Sequence, residues 1–389
     1  MTVELKRELP EIFNEFAEQR QNSFLAIKKL KDEGVPCVGV FCTFLPKEIA
    51  DAMGAAVVGL CSLSDETIPD AEKVLPRNLC PLIKSSYGFA ITDKCPFFYF
   101  SDLIVGETTC DGKKKAYEIL AEDVPIHIMD LPQMKRECDY KKWEDEIRSF
   151  IKVVEDFTGN EITAEKLADA IKVVNAKRAA MKRVYECRKA EKLPISGKDV
   201  LLMTQIAFFD DPARCAEMCN KLADECEQRI ADGVSVFPEG TKRIMITGTP
   251  MAIPNWKLHH IIETSGAAVV CEECCTGTRY FENMVDESGS TLDEQVTALS
   301  NRYMMNNCEC FTPNPGRKED ILRLAKEYNV DGVIDAHLMF CNLYDTAGRG
   351  VSQALDEAGI PCLTLETDYT DNDAEQLRTR IQAFIEMLD

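Results

Sequence analysis

Short, continuous apolar runs alternate with helical patterns along much of the chain. "PCVGVFC", "AAVVGLC", "DLIVGET" and "VPIHIMD" precede residue 131, and "RIMITGT", "AAVVCEE", "DGVIDAH" and "PCLTLET" follow residue 242. A strand buried on both faces needs unbroken rather than alternating hydrophobicity, so these runs predict parallel sheets within α/β layers. Between the two sets, from about Trp143 to Arg229, the pattern is charged and helical; "AEKLADAIKVVNAKRAAMKRVYE" brings Leu167, Ile171 and Val174 near one face. One αβ step is legible in full in "NPGRKEDILRLAKEYNVDGVID": Asn314 as cap, Pro315 at the first helical position, a helix, then a strand from about Val330.

The two α/β parts resemble each other. "GVFCTFLPKEIADAMGAAVVGLC" and "MITGTPMAIPNWKLHHIIETSGAAVVCEECC" both run strand, turn, helix, then Gly-Ala-Ala-Val-Val, starting at Gly54 and Gly266, with Cys61 and Cys271 following. The expected architecture is α/β, with two similar parallel-sheet domains facing a cleft and joined by a helical connector. The boundaries read as 1–142, 143–235 and 236–389. Open parallel sheets bind ligands beyond the carboxyl ends of their strands, so facing sheets would enclose one cleft between those ends.

With 389 residues and 45% hydrophobic content the chain can bury more than one core. Its 66 acidic against 45 basic residues give a formal charge of -21, which repels a phosphate backbone and excludes nucleic acid as a partner. No apolar run approaches the roughly 18 residues a membrane span needs. The start, "MTVELKRELPEIF", lacks the apolar core of a signal peptide, so a cytoplasmic location is expected. That changes the meaning of the 18 cysteines: in a reducing compartment they point to metal binding or catalysis rather than to disulfides. Several still read as ordinary. Cys37 and Cys362 lie in apolar runs, and Cys187, Cys215, Cys219 and Cys226 lie in charged helical stretches.

Cys42, Cys110, Cys275 and Cys341 each follow a predicted strand, at the end where such sheets bind ligands, while Cys80 and Cys310 lie in loops punctuated by Pro and Gly. These six thiols are expected to converge. Four readings of them stand open: a zinc site using "CEEC" (Cys271, Cys274) with "CEC" (Cys308, Cys310), a single nucleophile in a chain with only 4 histidines, simple packing, or an iron-sulfur cluster held by soft thiolates far apart in sequence. There is no GxxxxGK[ST], and "TAGRGVSQAL" carries only two of the three glycines of GxGxxG, so no nucleotide is expected on this chain. Lys113, Lys114 and Lys115 read either as the first turn of a solvated helix or as charge that softens a reduced cluster or docks an acidic partner. Candidate proton donors near strand ends are Glu107, His337, Glu366 and Asp368. Lys84, Ser85, Ser86 and Tyr87 either donate hydrogen bonds to sulfur or cap a helix.

"FCTFLPKEIADAMGAAVVGLC", "LPRNLCPLIKSSYGFAITDKCPFFYFSDLIVGETTCDGKKKAYEIL", the "CTG" at Cys275 and the closing "ETDYT" resemble the 2-hydroxyacyl-CoA dehydratase D-component superfamily, most densely from Pro36 to Leu120. More closely they resemble its single-chain branch, the double-cubane-cluster anaerobic reductases. The resemblance implies a cytoplasmic oxidoreductase of anaerobic metabolism, a homodimer whose subunits each hold two [4Fe-4S] cubanes bridged by sulfide. It also implies reduction by a separate ATP-hydrolysing iron-sulfur activator and transfer of electrons to a small-molecule substrate. Two such cubanes leave three thiolate ligands each. The relatives' single cubane has counterparts in Cys80, Cys110 and Cys341; the second is assigned to Cys42, Cys275 and Cys310, with Cys95, Cys308 and Cys274 in reserve. Thr249 in "ITGTP" stands where some relatives have a further cysteine, which removes that position from the ligand set. Two alternatives are a subunit of a 2-hydroxyacyl-CoA dehydratase with one [4Fe-4S] cluster, and a cluster carrier with no substrate.

Overall fold

The computed structural model describes residues 25–388 except 93 and 253, together with residue 18. All eight apolar runs form strands. The first four are β1 (Cys37–Val40), β2 (Ala56–Gly59), β3 (Leu103–Glu107) and β4 (Ile126–Met129). The second four are β5 (Lys242–Gly248), β6 (Ala267–Glu273), β7 (Gly332–Leu338) and β8 (Cys362–Thr367). They build two all-parallel sheets with the same strand order, β2-β1-β3-β4 and β6-β5-β7-β8. The internal similarity of the sequence is thus a similarity of topology.

Burial explains why the runs are apolar throughout. β3, β6 and β7 are buried at every residue. Along β3, Leu103 and Val105 enter one core while Ile104 enters the other, the two-residue period of a strand covered on both sides. Strands β4 and β8 lie at sheet edges and are only partly buried, which leaves Ile128 and Glu366 exposed. In each sheet the chain leaves the central strand in one direction and returns on its other side, β1 to β2 and then β3, β5 to β6 and then β7. A crevice opens at the carboxyl ends where the direction switches. At one of these ends Gly248 has φ 117°, and a Cβ there would lie 2.1 Å from the carbonyl oxygen of Ala336, so only glycine lets β5 and β7 end this close together.

The helical stretch begins at Glu137 and comprises Glu137–Thr158, Ala164–Cys187, Gly197–Ile206 and Pro212–Ala231. Thr163, Ser196 and Asp211 start the last three by accepting hydrogen bonds from backbone N–H groups three residues on. Trp143, Ile147 and Phe150 of the first helix pack on the N-terminal sheet beside Val38 and Val105. Cys187, Cys215, Cys219 and Cys226 join the core under the C-terminal sheet, with Met245 and Val270. Leu167, Ile171 and Val174 are buried, as their spacing predicts. The segment 285–311 crosses between the halves: Val296, Leu299, Tyr303 and Phe311 enter the core of the N-terminal sheet. Asn314 does stand before the Pro315–Glu327 helix, but its side chain makes no cap; its amide instead donates to the carbonyls of Asn307 and Cys308. Among the described residues no helix is long and apolar enough to cross a membrane.

Glu263 provides a pH-sensitive joint between the C-terminal sheet and the connector. It is buried, and it accepts from the N–H of Gly197 at 2.6 Å at the start of the Gly197–Ile206 helix. Burial pushes its carboxyl up to about 8. The folded chain therefore keeps a proton that the unfolded chain releases above its ordinary value of 4.5, and this contribution to stability declines as pH rises from 4.5 towards about 8. Urea midpoints measured across that range should fall less steeply in Glu263→Gln than in the parent chain, with the variant the more stable of the two at the alkaline end.

Candidate functional site

The carboxyl ends of β1, β2, β3, β5, β6 and β7 surround one cavity of about 580 Å3. Eight cysteines line it. Cys42, Cys61, Cys110, Cys275 and Cys341 come from the turns after β1, β2, β3, β6 and β7, and Cys80, Cys95 and Cys308 come from loops. Phe97, Phe208, Phe209 and Leu343 supply apolar wall between them.

Local structure aims these thiols. Cys80, Cys95, Cys110 and Cys341 each occupy the residue just before a helix, of 11, 5, 10 and 16 residues respectively. Free N–H groups and the positive end of the longer helices' dipoles favour a thiolate there. Phe340 has φ 62°, an uncommon conformation for a non-glycine residue, and it turns the chain at the end of β7 just before Cys341.

The thiols form two groups. In the first, Cys80 and Cys341 share a hydrogen bond and Cys110 lies within electrostatic reach of both, and also of Cys308 in the second. In the second, Cys308 shares hydrogen bonds with Cys275 and Cys310, and Cys42 lies within reach of all three. Each group therefore contains one thiol that its neighbours acidify. The hydrogen bond with Cys341, and then the backbone N–H groups of Leu82 and Ile83, lower Cys80; those with Cys275 and Cys310, and then Arg279, lower Cys308. The remaining thiols are raised: Cys42, to about 12, Cys110 and Cys310 chiefly because burial disfavours the anion, and Cys275 and Cys341 chiefly by their hydrogen bonds to Cys308 and Cys80, with burial second.

A buried ionic network fixes the second group. Arg279 contacts Glu273 at the end of β6 through two nitrogens, at 2.5 and 2.8 Å, and donates to the Tyr344 hydroxyl at 2.7 Å. Arg317 reaches Glu309, between Cys308 and Cys310, at 2.5 Å, the Thr247 hydroxyl of β5 at 3.0 Å and Asp335 of β7 at 3.5 Å. Both guanidinium groups are almost wholly shielded from water.

Of the six thiols expected to converge, Cys42, Cys80, Cys110, Cys275 and Cys341 line the cavity. Cys310 is buried behind Cys308 rather than on the wall. Cys308 and Cys95, held in reserve, do line it, and Cys274 is turned away, bonded to Thr276 at 3.2 Å. Cys61 escaped the sequence reading although it obeys the same rule as Cys42: it sits two residues past a strand. Its thiol donates to the Phe41 carbonyl at 2.6 Å. Cys271 packs with Tyr185 and Phe281 in the C-terminal core, so the two "CEEC" thiols do not meet the "CEC" pair as a zinc site requires.

The candidate proton donors are scattered. Glu107 is fully buried near Lys113, neither oxygen has a hydrogen-bond partner, and burial pushes its carboxyl up to about 8. His337 is buried between Asp335 and Asp345, at 3.0 and 3.1 Å; burial disfavours its charged form, but the two carboxylates win and raise it. Glu366 is exposed on the edge strand β8, and Asp368 closes a turn onto Thr370. Lys84, Ser85 and Ser86 hold loops together rather than facing sulfur: Lys84 pairs with Glu72, Ser85 donates to Ser64 and Ser86 accepts from Ser62, while Tyr87 is buried. Lys114 and Lys115 form surface pairs, as a solvated helix predicts, whereas Lys113 is buried against the cavity and donates to the Phe41 carbonyl at 3.3 Å.

The donor set is soft and all sulfur, which fits thiolate-ligated metal. Among the described residues no three Cys, His, Asp or Glu side chains close around a single point as the ligands of one bare ion do. An iron-sulfur cluster makes no such demand, because its thiolates bind separate irons.

The family model described as 2-hydroxyglutaryl-CoA dehydratase, D-component, matches residues 42–388. The chain is 44% identical to the putative dehydratase subunit YjiM of Escherichia coli K12, over 99% of this chain and 100% of that protein. It is 25% identical to the (R)-phenyllactyl-CoA dehydratase beta subunit of Clostridium sporogenes, covering 97% and 98% of the two chains. It is 22% identical to the beta subunit of (R)-2-hydroxyglutaryl-CoA dehydratase from Acidaminococcus fermentans, covering 97% and 99%.

Arg279→Met should destabilise the fold by about 3–5 kcal/mol, since it strands the Glu273 carboxylate without its closest cation. Arg279→Met combined with Glu273→Gln should recover part of that loss. Guanidinium unfolding curves of the parent, single and double variants test both expectations.

Proposed function

Because the chain belongs to the 2-hydroxyglutaryl-CoA dehydratase D-component family, we propose that it is an iron-sulfur oxidoreductase whose cavity carries two [4Fe-4S] cubanes. Cys80, Cys110 and Cys341 would hold one, and Cys42 and Cys275 with Cys308 or Cys310 the other. A separate ATP-hydrolysing [4Fe-4S] activator reduces it, the assembly is a homodimer, and the electrons pass to a small molecule. The observation that carries this reading is that six of the cavity's eight thiols gather as Cys80, Cys110 and Cys341 and as Cys42, Cys275 and Cys308, each set large enough to supply three ligands, with Cys61 and Cys95 outside both. The lack of a phosphate-binding loop agrees with ATP hydrolysis on a different protein.

When bound, such clusters supply electrons at low potential. The chain's own residues supply the surroundings. Phe97 stacks on Phe209 at 5.4 Å and keeps water from one wall. Lys113 brings a buried positive charge within electrostatic reach of Cys42, Cys61 and Glu107. Glu107, neutral below about pH 8, and His337, whose charged form burial disfavours but Asp335 and Asp345 favour more strongly, are candidate proton stores close to the carboxyl ends of β3 and β7.

A second reading has its own support: the relatives at 25% and 22% identity are named as beta subunits of 2-hydroxyacyl-CoA dehydratases. On it the chain is one subunit of a lyase and holds a single cubane on Cys80, Cys110 and Cys341.

Iron and sulfide analysis after anaerobic purification separates the two. About eight irons per chain is expected for two cubanes and about four for one. Cys110→Ala should lose much of the bound iron while Cys187→Ala, altered in the distant helical core, keeps it; equal iron in the two variants overturns the ligand assignment.

A further inference from the structure

A smaller cavity, of about 30 Å3, adjoins the thiol-lined one and shares Val40, Cys42, Thr43 and Phe208 with it. The rest of its wall carries four cations, Lys47, Lys177, Arg178 and Arg302. The last three are buried, and the Lys47 side chain is only 11% exposed.

These charges are incompletely matched. Arg178 pairs with Glu48 at 2.6 Å. The carboxylate nearest Lys47 is Asp51, 3.9 Å away, whose Oδ2 makes no hydrogen bond. Lys177 donates to neutral oxygens only, the Ala207 carbonyl and the Tyr280 hydroxyl. Arg302 likewise donates to the carbonyls of Asn283 and Tyr280. Asp210, the next acid towards Lys177, is engaged by Arg214 at 2.8 Å. Four cations thus meet two carboxylates, a buried surplus of two positive charges inside a chain whose formal charge is -21. Uncompensated buried charge is costly, and a sequence this rich in acids has carboxylates to spare for neutralising it. Among the described residues no carboxylate is seen to form an ion pair with Lys177 or Arg302; Asp51 and Asp210 act on Lys177, and Glu48 on Arg302, only from further off.

We propose that this cavity is a binding site for a small monovalent anion of the formate or carboxylate class, held by Lys47, Lys177 and Arg302 beside Cys42. Size sets the class. One water needs roughly 10–15 Å3 on the same measure, so the space takes two or three heavy atoms and not a sulfate with its larger shell. The shared wall at Cys42 and Thr43 admits two sources for that group, a free anion or the carboxylate end of a longer molecule whose body lies in the thiol-lined cavity. Either way, the negative group is stationed next to a thiol of the second group.

Calorimetric titration of the anaerobically purified chain, at constant ionic strength set with sodium methanesulfonate, whose tetrahedral sulfonate is as bulky as sulfate and carries no carboxylate, tests the site with formate, butanoate and sulfate. Formate should bind saturably at one site per chain, sulfate should not, and Lys47→Met should weaken formate binding about tenfold or more, as expected for losing one charged contact. Butanoate binding alongside formate, or alone, identifies the carboxylate end of a longer molecule; formate alone identifies a free anion. Absence of saturable binding by both overturns the proposal, as does sulfate binding as tightly as formate or an unchanged affinity in Lys47→Met. If that variant fails to fold, Lys47→Gln takes its place, and the parent titration decides on its own. Iron content is measured separately, so loss of the metal reading and loss of the anion site are distinct results.

Discussion

Glu273 clasped by Arg279, with Arg317 alongside, is the interaction on which the arrangement of the cavity depends. Through these three side chains the end of β6, Asp335 on β7, Thr247 on β5, the loop of Cys308 and Cys310, and Tyr344 in the helix after Cys341 are connected. Buried ion pairs add little net stability compared with apolar packing, but they tolerate few geometries, because any misplacement leaves a charge without water or partner. Cavity thiols drawn from many separate chain segments need that kind of constraint. Apolar side chains alone could slide past one another at modest cost.

The rest of the site sits in the electrostatic setting this creates. Burial raises most of the thiols, while one in each group is lowered by its neighbours' hydrogen bonds. Binding metal to such a set must release the protons that remain, so affinity is tied to pH. Lys113, Arg279 and the cations behind Cys42 all bring positive charge towards the second group. Around the first, the positive influence comes from helix starts and from Lys113 near Cys110.

Much of this was legible in the sequence, for identifiable reasons. Eight strands were readable because doubly covered strands must be apolar throughout, and the matching Gly-Ala-Ala-Val-Val stretches disclosed two sheets of one topology. Five cavity thiols were found by looking just past strand ends or in loops. Cys61 obeyed that rule and was passed over, and Cys310 was preferred to Cys308 although it is Cys308 that lines the cavity, because two thiols two residues apart differ only in how the loop is turned, here by Arg317 on Glu309. Lys113 looked like its exposed neighbours; only the three-dimensional path of its helix shows that one of three consecutive lysines points inward. The cationic cavity had no local signature, since its lysines and arginines come from positions 47, 177, 178 and 302.

Residues 285–311 have a consequence for how the molecule holds together. They leave the C-terminal sheet, fill the core under the N-terminal one with Val296, Leu299 and Phe311, and return carrying Cys308 and Cys310. Neither half then owns a complete interior. The two sheets look like duplicated modules, yet each borrows chain from beyond its own stretch of sequence, so they are interlocked and should melt as one cooperative body. A polypeptide divided at the connector would yield two fragments with exposed cores instead of two freestanding folds.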